Sequence, residues 1–174
     1  MIQPPFIAIE GPIGVGKTSL ASRVAAHYSI HLLEEIAEAN PFLGKFYENI
    51  EEWSFQTEMF FLCNRFKQLE DVNRRYLQKN QAVVSDYHIF KNRIFAARTL
   101  KGDHYKKYMQ IYHILTDDLP KPNVIIYLSA SLKTLLKRIR QRGREAEKYL
   151  EAAYLQGLLA DYESFMDKFR RESP

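Results

Sequence analysis

A short glycine-rich stretch near the start of the chain, GPIGVGKT, ends in a lysine and a threonine (residues 11–18). It follows the apolar run 6–10 and precedes a segment of helical pattern, which is the order of a phosphate-binding P-loop. Glycines let consecutive backbone N–H groups reach phosphate oxygens, and the following helix adds its positive dipole end. The lysine would contact the β- and γ-phosphates, and the threonine hydroxyl would ligate Mg²⁺. We predict a nucleoside triphosphate site at Gly11, Pro12, Ile13, Gly14, Val15, Gly16, Lys17, Thr18 and Ser19.

Acidic residues stand at the ends of two further apolar runs. Glu34 and Glu35 close the run 31–35, and Asp86 closes the run 82–86. Parallel sheets present ligands at the carboxyl ends of their strands, so these carboxylates are expected near the triphosphate. Because neighbouring residues of a strand point to opposite faces, only one of Glu34 and Glu35 should face the cleft.

The pattern of apolar residues predicts the elements that position these groups. Short apolar runs bounded by turn formers or charges predict strands, and a spacing of three and four predicts helices. Alternation of the two predicts an α/β fold with a parallel sheet, right-handed crossovers and helices on both faces. The chain contains no linker, so residues 1–174 are expected to form a single domain. The predicted strands are 6–10, 31–35, 82–86 and 123–129, and the predicted helices are 18–28, 55–72, 104–119 and the chain from 131 onward.

Composition excludes several classes of protein. The 174 residues carry a net charge of +4, which suits anionic ligands but is too small and dispersed to indicate nucleic-acid binding. No apolar run approaches the length of a membrane span, and the first residues do not resemble a signal peptide. The single cysteine, Cys63, fits a reducing compartment and is expected to be buried in its helix. We therefore expect a cytoplasmic protein with neither nucleic-acid nor membrane partners.

Beyond these patterns, the chain resembles the deoxynucleoside kinase family, and most closely its short bacterial deoxyguanosine kinases. The resemblance rests on EGPIGVGKT, EEIAEANPFLGKFYENIEEWSFQTEMFFLCNRFKQL, VVSDYHIFKNRIFAARTL, YHILTDDLPKP and LLKRIRQRGREAEK, which together span nearly the whole chain. It implies a P-loop kinase that moves the γ-phosphoryl group of ATP to the 5′-hydroxyl of a deoxynucleoside, with Mg²⁺ as cofactor. Relatives continue through a further strand and helix beyond FRRESP, so the fifth strand of the family is expected to be missing. A homodimer is expected as well.

The resemblance also implies roles for residues outside the P-loop. Glu35 matches the carboxylate beside the 5′-hydroxyl, and Asp86 matches a residue that organises Mg²⁺ or is the alternative proton acceptor. The division of roles between these two stays open. Tyr47 matches a contact to the sugar 3′-hydroxyl, and Glu147 matches a second carboxylate near the sugar. Three arginines of a lid, at about 138–148, are implied to close over the transferring phosphates, and Arg138 is implied to assist catalysis as well. They are Arg138, Arg142 and Arg144.

The base pocket is predicted at Glu58, where many relatives carry Gln or Asn. An ionised carboxylate is an acceptor only, so it takes both N1–H and the N2 amino group of guanine. Arg65, two helical turns on, would contact the guanine O6 or Glu58 itself. Tyr87 and Asn92 complete the substrate set, although they stand where relatives carry Arg and often Asp.

Together these observations predict an ATP- and Mg²⁺-dependent deoxyguanosine kinase. The alternatives are a deoxyadenosine or deoxycytidine kinase, a nucleoside monophosphate kinase, or an inactive nucleotide-binding module. At Glu58 the competing interpretation is an ordinary surface residue beside the apolar stripe of its helix.

Overall fold

Four short parallel strands form the central sheet of the computed structural model, which describes residues 4–172. Their spatial order is β2-β3-β1-β4, and all three neighbouring pairs are parallel. All four predicted strands are present, but three of them end earlier than the sequence indicated. The strands are β1 (Phe6–Glu10), β2 (His31–Leu33), β3 (Val83–Ser85) and β4 (Val124–Tyr127).

Seven α-helices connect and flank these strands in the described part of the chain. Two of them, α2 and α4, were not predicted, because neither shows a clear apolar period. Short 3₁₀ turns lie at Leu77–Lys79 and Glu145–Glu147. The helices are α1 (Lys17–Tyr28), α2 (Leu43–Glu48), α3 (Ile50–Arg75), α4 (Lys91–Thr99), α5 (Gly102–Thr116), α6 (Leu132–Arg142) and α7 (Ala152–Glu172).

The core lies on both faces of the sheet, because successive strand residues point to opposite sides. Ile9 and Val84 pack against Ala21 and Ala25 of α1 on one face. On the other face Phe6 and Val83 join a cluster that includes residues of α3 and α5. A third cluster joins α2, α4, α6 and α7 near the P-loop. The expected α/β fold with helices on both faces is confirmed.

The single cysteine of the chain differs from expectation. Cys63 is exposed on α3, so the prediction that it is buried was wrong. The apolar stripe of that helix comes from other residues, such as Leu62 and Leu69, and Cys63 lies outside it.

No helix within residues 4–172 is both long enough and apolar enough to cross a bilayer.

Candidate active site

The P-loop runs from the end of β1 into the first turn of α1, as the sequence predicts. Gly14 and Gly16 adopt positive φ angles of 82° and 104°, which glycine reaches without a Cβ clash. The Lys17 ammonium folds back over the loop and donates to the carbonyls of Gly11 (2.8 Å) and Pro12 (3.0 Å). Burial lowers the pKa of Lys17 to about 8, and the nearby positive charge of Lys91 acts in the same direction.

The side-chain oxygens of Thr18 and Asp86 lie close together beside the P-loop. The Thr18 hydroxyl donates to Asp86 Oδ2 at 2.5 Å, and the other oxygen of Asp86 accepts from the backbone N–H of Glu35 at 2.8 Å. Asp86 therefore joins the end of β3 to both the P-loop helix and the end of β2. Glu35 lines the cleft, whereas Glu34 is exposed. One of the two adjacent glutamates thus faces the cleft, as expected, although both lie beyond the end of β2 at Leu33.

Two cations grip the carboxylate of Glu35. Arg65 donates from Nε to Oε1 at 2.8 Å and also contacts Glu35 through Nη2, and Lys91 Nζ lies 3.1 Å from each carboxylate oxygen. Burial alone would raise the pKa of Glu35, but the charges of Arg65 and Lys91 outweigh it and hold that pKa well below its ordinary value. The carboxylate is consequently ionised throughout the physiological pH range.

Glu58 lies deep in the same cleft, on α3. Only 1% of the residue is exposed, and its Oε2 atom is buried without a hydrogen-bond partner. The adjacent Thr57 also carries a buried, unpartnered hydroxyl on the cleft wall. Burial raises the pKa of Glu58 to about 8, against the opposing charges of Arg65 and Lys91. The ionised carboxylate expected at Glu58 stays a prediction, because burial disfavours its charged form in the ligand-free pocket.

Arginines of α6 and of the turn after it lie over the phosphate end of the cleft. Arg138 Nη1 donates to the Val15 carbonyl of the P-loop at 2.8 Å. Arg142 Nη2 contacts both oxygens of Glu147, at 2.6 and 2.8 Å, and this glutamate is buried at the cleft wall. Arg144 pairs with Glu38 of the loop that follows β2, at 2.8 Å. The lid arginines are thus held by carbonyl and carboxylate oxygens.

The sugar end of the cleft is aromatic. Tyr47 of α2 packs edge-on against Phe46 and Tyr154. Burial raises the pKa of its hydroxyl, and the negative charges of Glu147 and Glu58 raise it further. Tyr47 therefore keeps its proton and can donate it to a ligand oxygen.

These residues line one cavity of about 840 Å³. Its wall joins the predicted phosphate, hydroxyl, sugar and base groups: Ile13, Gly14, Val15, Gly16, Lys17, Thr18, Ser19, Glu35, Tyr47, Glu58, Arg65, Asp86, Arg138, Arg142, Arg144 and Glu147. Such a volume is ordinary for a ligand cleft.

Two predicted substrate residues lie elsewhere. Tyr87 is fully buried in the core cluster beneath α3, and its hydroxyl donates to Gln68 at 3.0 Å. Asn92 is also fully buried; it accepts from Arg65 at 2.6 Å and donates to the Tyr108 hydroxyl at 2.7 Å. Neither lines the cavity, so the predicted direct substrate contacts of Tyr87 and Asn92 disagree with their positions. Asn92 instead holds Arg65 in place.

Sequence reasoning missed Lys91 as a member of the site, because it begins a helix that was not predicted. Its sequence position could have indicated a site residue, because Lys91 lies directly before the predicted substrate residue Asn92 and five residues after Asp86.

A family model described as deoxynucleoside kinase matches residues 7–173. The chain belongs to the deoxynucleoside kinase family, and the resemblance expected from its motifs is confirmed. It is therefore a phosphotransferase, since members of this family phosphorylate deoxynucleosides.

Similarity to individual deoxynucleoside kinases supports the same family assignment. The chain is 57% identical over 170 residues to deoxyguanosine kinase of Bacillus subtilis (strain 168), a match that covers 98% of this chain and 82% of that protein. It is 32% identical to deoxyadenosine/deoxycytidine kinase of the same strain, over 94% of this chain and 77% of that protein. The solved structure of deoxyadenosine kinase from M. mycoides with bound dATP matches with a TM-score of 0.84 at 24% identity, over 97% of this chain and 86% of that one. This last likeness concerns the fold.

Proposed function

We propose that the protein transfers the γ-phosphoryl group of ATP to the 5′-hydroxyl of deoxyguanosine, yielding dGMP and ADP. The observation that carries the proposal is a single cavity lined both by the P-loop lysine and by Glu58, a buried carboxyl group with one unpartnered oxygen. The 57% identity to a deoxyguanosine kinase over nearly the whole chain supports the same substrate.

The phosphate end suits ATP and Mg²⁺. Lys17 and the backbone of the loop would hold the β- and γ-phosphates, and the arginines 138, 142 and 144 would exchange their present oxygen partners for phosphate oxygens. Thr18 and Asp86, whose side-chain oxygens already lie 2.5 Å apart, offer the hard oxygen donors that Mg²⁺ prefers, so they would hold the metal. Bound there, Mg²⁺ would neutralise part of the phosphate charge.

Glu35 would receive the 5′-hydroxyl of the nucleoside. Its lowered pKa makes it a weak base, which suits the loose transition state of phosphoryl transfer, where positioning matters more than early removal of the proton. As the O5′–P bond forms, the bond from the γ-phosphorus to the bridging oxygen breaks and ADP leaves. The hydroxyl proton passes towards Glu35, while Tyr47 and Glu147 would hold the sugar.

Glu58 would select the base. Guanine presents N1–H and the N2 amino group side by side, and an ionised carboxylate accepts from both. Arg65, placed beside it on α3, would contribute a donor for O6. A base that leaves the buried carboxylate unsatisfied loses about 1–3 kcal/mol or more. Deoxyadenosine is the second candidate substrate, because the protonated form of Glu58 presents one donor and one acceptor, as the adenine edge requires.

The test is a transfer assay with ATP, Mg²⁺ and a panel of deoxyguanosine, deoxyadenosine, deoxycytidine and dGMP. We expect the highest kcat/KM for deoxyguanosine and no transfer to dGMP. The matched inactive control is Lys17→Met, which removes the P-loop ammonium. Transfer to none of the deoxynucleosides by the unmodified protein would overturn the proposal, and a preference for dGMP would indicate a monophosphate kinase.

We further propose a homodimer formed through the outer faces of α3 and α5. Ile114 of α5 is 77% exposed, and it borders a second cavity of about 480 Å³ that Phe66 and Leu115 also line. Large exposed apolar side chains beside a cavity favour association. Ile114→Glu should yield a monomer by light scattering coupled to size-exclusion chromatography, whereas Lys107→Glu, an exposed change on the same helix, should leave the mass unchanged. A monomeric mass for the unmodified protein would refute this assembly.

A further inference from the structure

Lys91 is a buried cation for which the proposed reaction has no assigned use. It begins α4, only 4% of the residue is exposed, and its ammonium lies on the cavity wall. Burying an ammonium ion costs several kcal/mol even after relaxation, so such a residue persists only where an anion stabilises it. Among the described residues Glu35 is the carboxylate to which Lys91 is bonded, at 3.1 Å to each oxygen.

The charges around Glu35 do not balance. Arg65 and Lys91 both form ion pairs with this single carboxylate, and the other side-chain partner of Arg65 is the neutral amide of Asn92. The trio of Arg65, Lys91 and Glu35 therefore carries a net charge of +1 on the cavity wall. The nearby pair of Lys17 and Asp86 leaves this sum unchanged. Glu10 also lies close to Lys91, but burial raises the pKa of Glu10 and so disfavours its charged form. A lysine ammonium has three N–H donors, and the two oxygens of Glu35 occupy two of them. A surplus positive charge with a remaining donor is suited to a further anion in the cleft.

The position of this surplus charge identifies the anion. Lys91 shares the cavity wall with Lys17, Thr18 and Asp86, which form the phosphate end, and it touches the carboxylate that would receive the nucleoside hydroxyl. The phosphoryl group has to pass between these two places. In the loose transition state of this reaction, negative charge is spread over the three equatorial oxygens of that group.

We propose that Lys91 is a catalytic residue of phosphoryl transfer, whose ammonium donates to an equatorial oxygen of the phosphoryl group as it moves from ATP to the nucleoside. In the ligand-free cleft the same ammonium holds Glu35 in one orientation. The inference rests on the proposed function, because it presupposes transfer to a hydroxyl at Glu35. No proton leaves Lys91 during the step: the O5′–P bond forms, the bond to the bridging oxygen of ADP breaks, and the hydroxyl proton goes to Glu35.

The test compares Lys91→Met, which keeps the length and removes the charge, with Lys91→Arg, which keeps the charge. Removing one preorganised donor from a developing oxyanion typically costs about 10²–10³ in kcat. We expect a loss of that order for Lys91→Met, with KM for ATP and for deoxyguanosine changed by less than about threefold. Lys91→Arg should retain at least tenfold more activity than Lys91→Met. Exposed Lys107→Met is the matched control and should leave kcat unchanged.

Folding has to be separated from catalysis, because Lys91 is buried. Urea midpoints and binding of a non-hydrolysable ATP analogue should be measured on each variant, and Glu35→Gln/Lys91→Met provides a version without the unpaired carboxylate charge. A kcat for Lys91→Met within threefold of the unmodified protein would overturn the inference, as would parallel losses of stability and activity without recovery in Lys91→Arg. If the unmodified protein phosphorylates no deoxynucleoside, the proposed function fails; if it does and Lys91→Met is equally active, only this inference fails.

Discussion

The substitution Glu58→Gln tests the base selectivity of the cleft directly. The carboxylate lies buried on the cavity wall with one oxygen unpartnered, so a ligand base is the group that can satisfy it. A glutamine amide keeps the shape but presents one donor and one acceptor, which matches adenine or cytosine and places a donor against a donor of guanine. We expect kcat/KM for deoxyguanosine to fall relative to deoxyadenosine and deoxycytidine.

The size of the effect follows from the contacts at stake. Hydrogen bonds to a charged group contribute about 1.5–3 kcal/mol, which corresponds to a selectivity change of about 10- to 150-fold. The effect should also depend on pH, because the pKa of Glu58 is raised to about 8 in the ligand-free protein. With a pKa near 8, the ionised fraction of Glu58 rises steeply as the pH increases from 6.5 towards 8. The charged neighbours that contribute to this pKa are Arg65, Lys91 and Glu35.

The assay follows the ratio of kcat/KM for deoxyguanosine to that for deoxyadenosine from pH 6.5 to 8.5, because kcat/KM reports ionisations of the free enzyme. The ratio should rise with pH across this range, by up to about tenfold per pH unit, because deoxyguanosine uses the ionised form of Glu58 and deoxyadenosine the protonated form. In Glu58→Gln it should be low and independent of pH, whereas Glu70→Gln, an exposed change on the same helix, should behave as the unmodified protein does. Unchanged nucleoside ratios in Glu58→Gln, or a flat pH profile in the unmodified protein, would refute the role of Glu58 as selector.

Two further predictions concern the phosphate end. Gly11→Ala should lower the free energy of unfolding by about 1–3 kcal/mol in urea titrations, because its φ of +148° disfavours a side chain and the new Cβ would lie 2.4 Å from the Leu128 carbonyl oxygen. Gly44→Ala, in α2 with nothing within 4 Å of the new Cβ, should instead raise stability by about 0.4–1 kcal/mol, and equal effects at both glycines would contradict this. Arg138→Ala should lower kcat by about 10²–10³ in the transfer assay, since one donor to the transferring group is lost, and Arg138→Lys should recover only part because it lacks the planar fork. Exposed Arg140→Ala is the control, and equal activity of the two alanine variants would exclude the lid role of Arg138.

Much of the fold follows from local sequence, because short patterns of a few residues predict the phosphate loop and the strands. GPIGVGKT predicts its own strand, loop and helix, and each of the four apolar runs contains a strand. Helix α4 was missed because its buried face includes Lys91, Asn92 and Thr99, which no apolar period reveals. Lys91 is buried because it lines the cavity, and Asn92 is buried because it hydrogen-bonds Arg65.

The contacts within the site were much less accessible to sequence reasoning. Glu35 meets Arg65 across 30 residues and Lys91 across 56, and no local pattern encodes such pairs. The protonation state of Glu58 was likewise unreadable, because it depends on burial in the folded cleft. Tyr87 was assigned to the substrate by its place in a motif, yet the ring faces the core. Its position in the core is consistent with the large apolar area that an aromatic ring buries.

Helix α3 joins the two ends of the proposed reaction. It carries Glu58, which would recognise the base, and two turns later Arg65, which holds the carboxylate that would receive the hydroxyl. Arg65 is fixed in turn by Asn92, so its guanidinium has little freedom to follow a badly placed substrate. Glu58 and Arg65 lie on the same helix, so the group that would contact the base is directly connected to the group that orients Glu35. Discrimination between bases should for this reason appear in kcat as well as in KM, which a pocket that only bound the base would not produce.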